Sequence, residues 1–349
     1  MTTGIRVLMV TTDWPRKSWG GTTTFLSRQA EFLRAAGVDV DVFAFEGARR
    51  PGNYARAWLQ LRRRLHEGGH ALVHAQFGQS ALAALPTRLP LVVTFRGDDL
   101  LGIIGEDGTY TRAGRLLQRL SRFVARRADA VIVVAEHMKR CLPGSVAAHV
   151  LPSGLDLQRF RSIPRAEARR HLGLPVDERL VLFVGRPTLA RKRFGLAQQA
   201  VEILARTLPA RLMLGYEVPH TQIPWLMNAC DVLVCTSMQE GSPNVVKEAL
   251  ACDLPVVSVP VADVPQRLAG IAGCVVCADE RPETIAAALE GVLRSGQRIA
   301  GRGAVRELDE RLLTEQLIGI YRSVLLARHS PRPSPAGGLH AASPANLGD

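Results

Sequence analysis

Two glutamates eight positions apart, Glu240 and Glu248, bracket the segment 240–250, EGSPNVVKEAL. Gly241, Ser242, Pro243, Asn244 and Val245 follow the first glutamate, and Lys247 precedes the second. Val245, Val246, Ala249 and Leu250 recur at helical spacing, so the segment predicts a helix that Ser242 or Asn244 can cap. The preceding run DVLVCTS reads as a buried strand. A strand, a polar turn and a helix N-terminus together make an anion site, because free main-chain N–H groups point outward there. Glu240 would stand at the mouth of that site and Glu248 about one turn into the helix. Such a site fits an anion surrounded by hydroxyls, as in a sugar nucleotide. Taken alone, the spacing also fits an ordinary strand–helix unit with two solvated glutamates, so the surroundings have to decide.

Two further places carry suitable chemistry. The loop GRPTLARKRF puts Arg186 at a strand end and Lys192 six positions later. Two cations at a carboxyl edge can neutralise a diphosphate, Arg through its planar fork and Lys as a point charge; the alternative is a solvated basic loop. Gly20 and Gly21 follow the first strand, where glycine allows a backbone to approach a phosphate closely or simply makes a tight turn. His74, in LVHAQF, points either into a cleft or into the core.

These residues need a frame, and the sequence predicts one. Apolar runs at 6–12, 38–45, 71–77, 90–95, 130–135 and 149–153 read as strands, with helices between them such as 24–37, closed by Gly37. After a connecting stretch ending at Pro164 the pattern restarts, with strands at 179–185, 210–216, 231–235, 254–259 and 273–278. The expected class is α/β: two doubly wound, Rossmann-like parallel sheets facing across a cleft, with ligands at the carboxyl ends of the strands. We expect a first domain over 1–155, a second over 156–308, a closing helix at 309–328 that completes the first, and a Pro/Gly/Ser/Ala-rich disordered tail at 330–349.

The 349 residues, 47% of them apolar, suffice for two cores. No apolar run is long enough to cross a membrane and the N-terminus lacks the pattern of a signal peptide, so cytoplasmic residence is the expectation. The six cysteines lie mostly in apolar runs, as reduced core thiols do, and the single C-x-x-C at Cys274 and Cys277 has no second pair to make a zinc site. The net charge of +12 comes almost wholly from arginine; of only four lysines, Lys192 and Lys247 fall within the segments above.

In their order along the chain, RVLMVTTDWP…GG, VVTFRGDDL, ADAVIVVAEHMK, VLPSGLDLQRF, FVGRPTLARK and CTSMQEGSPNVVKEALACDLPVVS resemble the family 4 retaining glycosyltransferases of the GT-B fold. That resemblance implies a nucleotide-diphosphate sugar donor, UDP- or GDP-linked, a hydroxyl acceptor, no cofactor and no metal. Glu248 would bind the ribose hydroxyls, and Glu240 the donor sugar. The backbone of Ser242 to Val245 would hold sugar and phosphate. Arg186 and Lys192 would stabilise the leaving diphosphate, with Gly20 and Gly21 closing on it from the other domain. Acceptor deprotonation would fall to the leaving phosphate. Three departures stand out. Arg96 occupies the place of a histidine in the segment 94–98, which leaves donor identity open. Ser153 replaces an asparagine at the domain junction. A five-residue interval would select Arg191 in place of Lys192; we take Lys192.

On the acceptor side the candidates are Arg96, Asp98 and His74, with the glycine-spaced loop 97–110 expected to be mobile and to shape the pocket. The helix around 111–127 carries Arg112, Arg115, Arg119, Arg122 and Arg126 on one face, beside Leu116, Leu117, Leu120 and Phe123. That stripe is either a solvated face or a contact with anionic lipid at the inner membrane surface or with an acidic acceptor; no aromatic-interleaved platform suggests nucleic acid. The rival reading of the whole is a catalytically silent GT-B protein acting as a nucleotide-sugar binding or scaffold partner.

Overall fold

The structure is a computed structural model and describes residues 4–14, 24–47 and 50–329. Eleven strands form two all-parallel sheets among these residues. The first contains β1 (Arg6–Thr11), β2 (Asp39–Ala44), β3 (Leu72–Gln76), β4 (Leu91–Phe95), β5 (Ala130–Val133) and β6 (Ala148–Val150), in the order β2-β1-β3-β4-β5-β6. The second contains β7 (Leu180–Val184), β8 (Arg211–Gly215), β9 (Val232–Cys235), β10 (Val256–Ser258) and β11 (Val275–Val276), in the order β11-β10-β9-β7-β8. This is the expected two-domain GT-B arrangement. β1, β3, β4, β5, β9 and β10 are buried almost throughout, which is why they read as continuous apolar runs in the sequence.

Helix Thr24–Ala35 ends as expected: Gly37 is left-handed (φ 85°), and the Val38 N–H donates to the Leu33 carbonyl at 3.0 Å. All six cysteines are free thiols. The last described helix, Glu310–His329, lies against helix Thr24–Ala35 and reaches the first sheet. Its fully buried Tyr321 hydroxyl stands 2.6 Å from His74 Nδ1 of β3. At its start Glu310 receives Arg28 Nε at 3.0 Å, both side chains buried.

The two sheets present their carboxyl ends to one another across a cleft of about 650 Å³. Thr12 and Asp13 after β1, Phe77 after β3, Arg96 to Asp99 after β4 and Val134 after β5 line one side. Leu189, Arg191, Lys192, His220 and the run from Glu240 to Val245 line the other, with Glu248.

Candidate active site

The Glu240 loop leaves β9 through two buried polar residues, Thr236 and Ser237. The Thr236 hydroxyl donates to the Lys192 and Arg193 carbonyls at 3.0 Å each, and Arg193 Nε returns a bond to the Thr236 carbonyl at 2.7 Å. The Met238 N–H donates to the Arg191 carbonyl at 2.7 Å. These bonds fix the loop after β7 against the loop after β9, so the side chains of Arg191 and Lys192 converge on Glu240. Lys192 Nζ lies 2.5 Å and Arg191 Nη1 3.0 Å from Glu240 Oε1. Burial works against the charge on Glu240, but Lys192 and Arg191 outweigh it and hold its carboxyl below the ordinary range.

Helix Asn244–Ala251 begins beyond this cluster, and its start corrects one expectation. Neither Ser242 nor Asn244 caps it: the N-cap position is Pro243, with no side-chain bond. The Ser242 hydroxyl donates instead to Asp263 Oδ2 at 2.8 Å, and Asn244 Oδ1 is buried without a partner among the described residues. Among those residues the first N–H groups of the helix have no side-chain cap, and Asn244 and Val245 line the cleft. One turn on, buried Glu248 faces His220, whose Nε2 is 3.4 Å from Oε1. Gly241 is required by contact: a Cβ there would stand 2.0 Å from the Arg96 carbonyl oxygen across the cleft.

The other expected residues are distributed unevenly. Arg186 is exposed, its guanidinium 5.9 Å from the Tyr216 ring centroid, and does not line the cleft; Arg191, five residues after it, does. Arg96 and Asp98 line the opposite wall. His74 lies beneath that wall, fully buried, with Nε2 2.8 Å from Thr94 Oγ1. Gly20 and Gly21 lie outside the described residues.

Sequence reasoning set Arg191 aside for Lys192 and overlooked other groups. Arg191 bridges the cleft, its Nε 3.1 Å from Asp98 Oδ2 while its Nη1 meets Glu240. Gln239 Nε2 crosses as well, donating to the Gly102 carbonyl at 2.6 Å. Asp99 accepts the main-chain N–H groups of Gly78, Arg96 and Gly97 at 2.8–3.0 Å, and burial pushes its carboxyl up to about 6. The only available sign was its place two residues after Gly97. The loop 97–110 is also better tied than expected: Gln118 Nε2 donates to the Leu101 carbonyl, and the Ser121 hydroxyl to the Asp99 carbonyl, both at 2.5 Å.

The profile described as Glycosyltransferase Family 4 matches residues 19–159, and that described as Glycosyl transferases group 1 matches residues 200–295. These two matches, one in each domain, together with the fold, support a family 4 glycosyltransferase of the GT-B fold. The chain is 29% identical over 219 residues to TuaC of Bacillus subtilis, which carries the name of a teichuronic acid biosynthesis glycosyltransferase (55% of this chain, 54% of TuaC). It is 30% identical over 244 residues to a D-inositol 3-phosphate glycosyltransferase of Mycobacterium tuberculosis, covering 58% of this chain and 50% of that one. The chain thus spans about half the length of the curated relatives it matches. Among solved structures, the sucrose-phosphate synthase of Thermosynechococcus elongatus superposes with a TM-score of 0.78 at 19% identity, over 92% of this chain and 99% of that one. Anabaena HepE, solved with UDP and glucose, superposes with a TM-score of 0.68 at 16% identity, over 91% and 100%. At these identities the structural likeness speaks for the fold.

Proposed function

We propose that the protein is a retaining, metal-independent glycosyltransferase that moves a sugar from a UDP- or GDP-linked donor to a hydroxyl acceptor. The observation that carries this reading is the convergence of Arg191 and Lys192 on Glu240 at the uncapped start of helix Asn244–Ala251. In the reaction the glycosidic bond to the diphosphate breaks, so negative charge grows on the leaving phosphate. Two cations beside free main-chain N–H groups meet that demand without a metal ion. Glu240 orients the cations and remains ionised to accept sugar hydroxyls. Glu248, one helical turn deeper, is placed for the ribose hydroxyls. Anabaena HepE, which shares the fold, has been solved with UDP and with UDP-glucose, which supports a nucleotide sugar in the corresponding cleft. The leaving phosphate itself would take the acceptor proton.

The acceptor side is proposed to meet an anionic membrane surface. Arg112, Arg115, Arg119, Arg122 and Arg126 are all exposed, and Leu116 and Phe123 stand among them at 57% and 43% exposure. The inner side of helix Arg112–Ala125 holds loop 97–110 through Gln118 and Ser121, so a surface beneath the helix lies one helix thickness from the cleft. Among the described residues no helix is long and apolar enough to cross a membrane.

The deciding experiment for the main reading is a thermal-shift screen of UDP- and GDP-sugars, followed by donor turnover in EDTA and NMR assignment of the product anomer. Ligand-dependent stabilisation, turnover in EDTA and a retained anomer are expected. Tight nucleotide binding with no turnover of any donor would favour a silent binding protein instead.

A further inference from the structure

Arg96 follows β4, with its main-chain N–H on Asp99 Oδ1 at 3.0 Å and its side chain lining the cleft. A guanidinium carries five N–H donors. Here Nε and Nη2 both reach Gln76 Oε1, at 3.0 and 2.7 Å; Nη2 also reaches Gln29 Oε1 at 3.2 Å, and Nη1 reaches Ser153 Oγ at 2.8 Å. One Nη1 hydrogen has no partner among the described residues. Every partner is neutral. The layer beneath is neutral too, because burial and the charge of Arg96 push His74 down to about 3, so the imidazole carries no charge at pH 7. Arg96 itself is lowered by burial to about 10 and stays cationic. The nearby carboxylates are engaged elsewhere: Glu310 with Arg28, and Asp99 with three main-chain N–H groups.

Other enclosed arginines contrast with this. Arg28, Arg169 and Arg191 each touch a carboxylate. Arg298 and Arg302 touch only carbonyls, but they lie away from the cleft and bind Asn228 and Ala251, next to or at helix C-termini, where a cation is favoured. Arg96 has neither form of compensation. The Phe25 ring, 4.9 Å from Cζ, lies against the fork, and the Arg96 main chain packs on Gly241 beside the loop that carries Glu240.

We propose that Arg96 is a specificity-determining residue whose guanidinium receives an anionic group, a carboxylate or a phosphate monoester, on a substrate in the first-domain half of the cleft. The proposal rests on the nucleotide-sugar reading. The anion has two sources, the C6 carboxylate of a uronosyl donor or an acidic group on the acceptor, and both present the same chemistry to the fork.

Two calorimetric arms separate them. In the first, UDP-glucose and UDP-glucuronate, which differ only at C6, are titrated into the wild type, Arg96→Gln and Arg96→Lys. GDP-mannose and GDP-mannuronate replace them if GDP is the nucleotide bound. In the second, protein saturated with the nucleotide is titrated with methyl glucoside, glucuronate and glucose 6-phosphate. The expected result is a preference of tenfold or more for the anionic member in one arm, which identifies the source. That preference should vanish in Arg96→Gln and survive in part in Arg96→Lys, which keeps the charge without the fork. A merely structural Arg96 would lower both affinities together and leave their ratio unchanged. No charge preference in either arm of the wild type, or a preference that persists in Arg96→Gln, overturns the proposal. Absence of both UDP and GDP binding overturns the nucleotide-sugar reading itself, and the proposal with it.

Discussion

Lys192 and Lys247 stand in very different surroundings, and the contrast defines what each can do. Lys192 faces Glu240 in the cleft, whereas Lys247 is fully buried and, among the described residues, its Nζ finds only the Ser153 carbonyl, at 3.4 Å. Burial, aided by Arg267, lowers Lys247 to about 7 from 10.5. Because the folded state binds its proton less readily than the unfolded chain, this lysine adds nothing unfavourable above about pH 10.5. It costs stability increasingly as the pH falls toward 7. Lys247→Met should therefore stabilise the protein at pH 7 by about 1–3 kcal/mol, with the gain shrinking toward pH 10 in melts across that range. Substitutions facing the ligand should act differently. Glu248→Ala should weaken nucleotide binding about tenfold with a smaller effect on kcat, and Lys192→Ala should lower kcat by about a hundredfold with little change in nucleotide affinity. Steady-state kinetics and UDP titration of both variants check the division of roles. The glutamate pair was legible in the sequence because both members sit in one strand–turn–helix unit. Arg191 was passed over for its neighbours, since its role depends on Asp98, which arrives from 93 positions away along the chain.

At the scale of elements, the inner strands were legible because they are buried almost throughout and stand out as apolar runs. Most strand ends were trimmed by one or two residues, whereas Ala148–Val150 begins one residue before the expected 149–153 and stops three short of it. What the sequence misjudged was the start of helix Asn244–Ala251, because a Ser or Asn near a helix start resembles a cap whether or not its side chain turns that way. Ser242 was drawn instead to Asp263, which comes from a later helix boundary. Helix Arg112–Ala125 shows the same limit in reverse. Its arginine stripe was plain from spacing, but exposure of Leu116 and Phe123 follows only from how Gly114, Ser121 and Val124 pack inward. If this face meets lipid, the protein should co-sediment with vesicles containing phosphatidylglycerol and not with purely zwitterionic ones. Arg115→Gln with Arg119→Gln should reduce that partition by about an order of magnitude. Leu116→Ser with Phe123→Ser should weaken the binding that remains in high salt, where the charges are screened and the apolar contact is left. Equal sedimentation with both vesicle types would remove the membrane from the account.

The whole molecule is held at two places, the final helix and the cleft itself. Glu310 meets Arg28 in a buried pair, so Glu310→Ala would strand a buried guanidinium and should cost about 3–5 kcal/mol. Tyr321→Phe removes one hydroxyl from His74 and should cost about 1–2 kcal/mol. Denaturant melts of the two variants test that order. The cleft is held differently, by contacts in the path of the ligand. Arg191 is shared between Asp98 on one domain and Glu240 on the other, and Gln239 reaches across to Gly102. A diphosphate arriving at Arg191 and Lys192 brings negative charge to a cation already facing the Asp98 carboxylate. The two anions then compete for one guanidinium. Asp98→Asn should therefore tighten UDP binding several-fold at low ionic strength, with the advantage shrinking as salt screens the partly exposed Asp98. The same substitution should loosen the ligand-free molecule, visible as a larger radius of gyration in X-ray scattering that returns to the wild-type value when UDP is added. The opposite result, weaker UDP binding in Asp98→Asn, would mean that Asp98 aims Arg191 at the phosphate. The competition account would then be wrong.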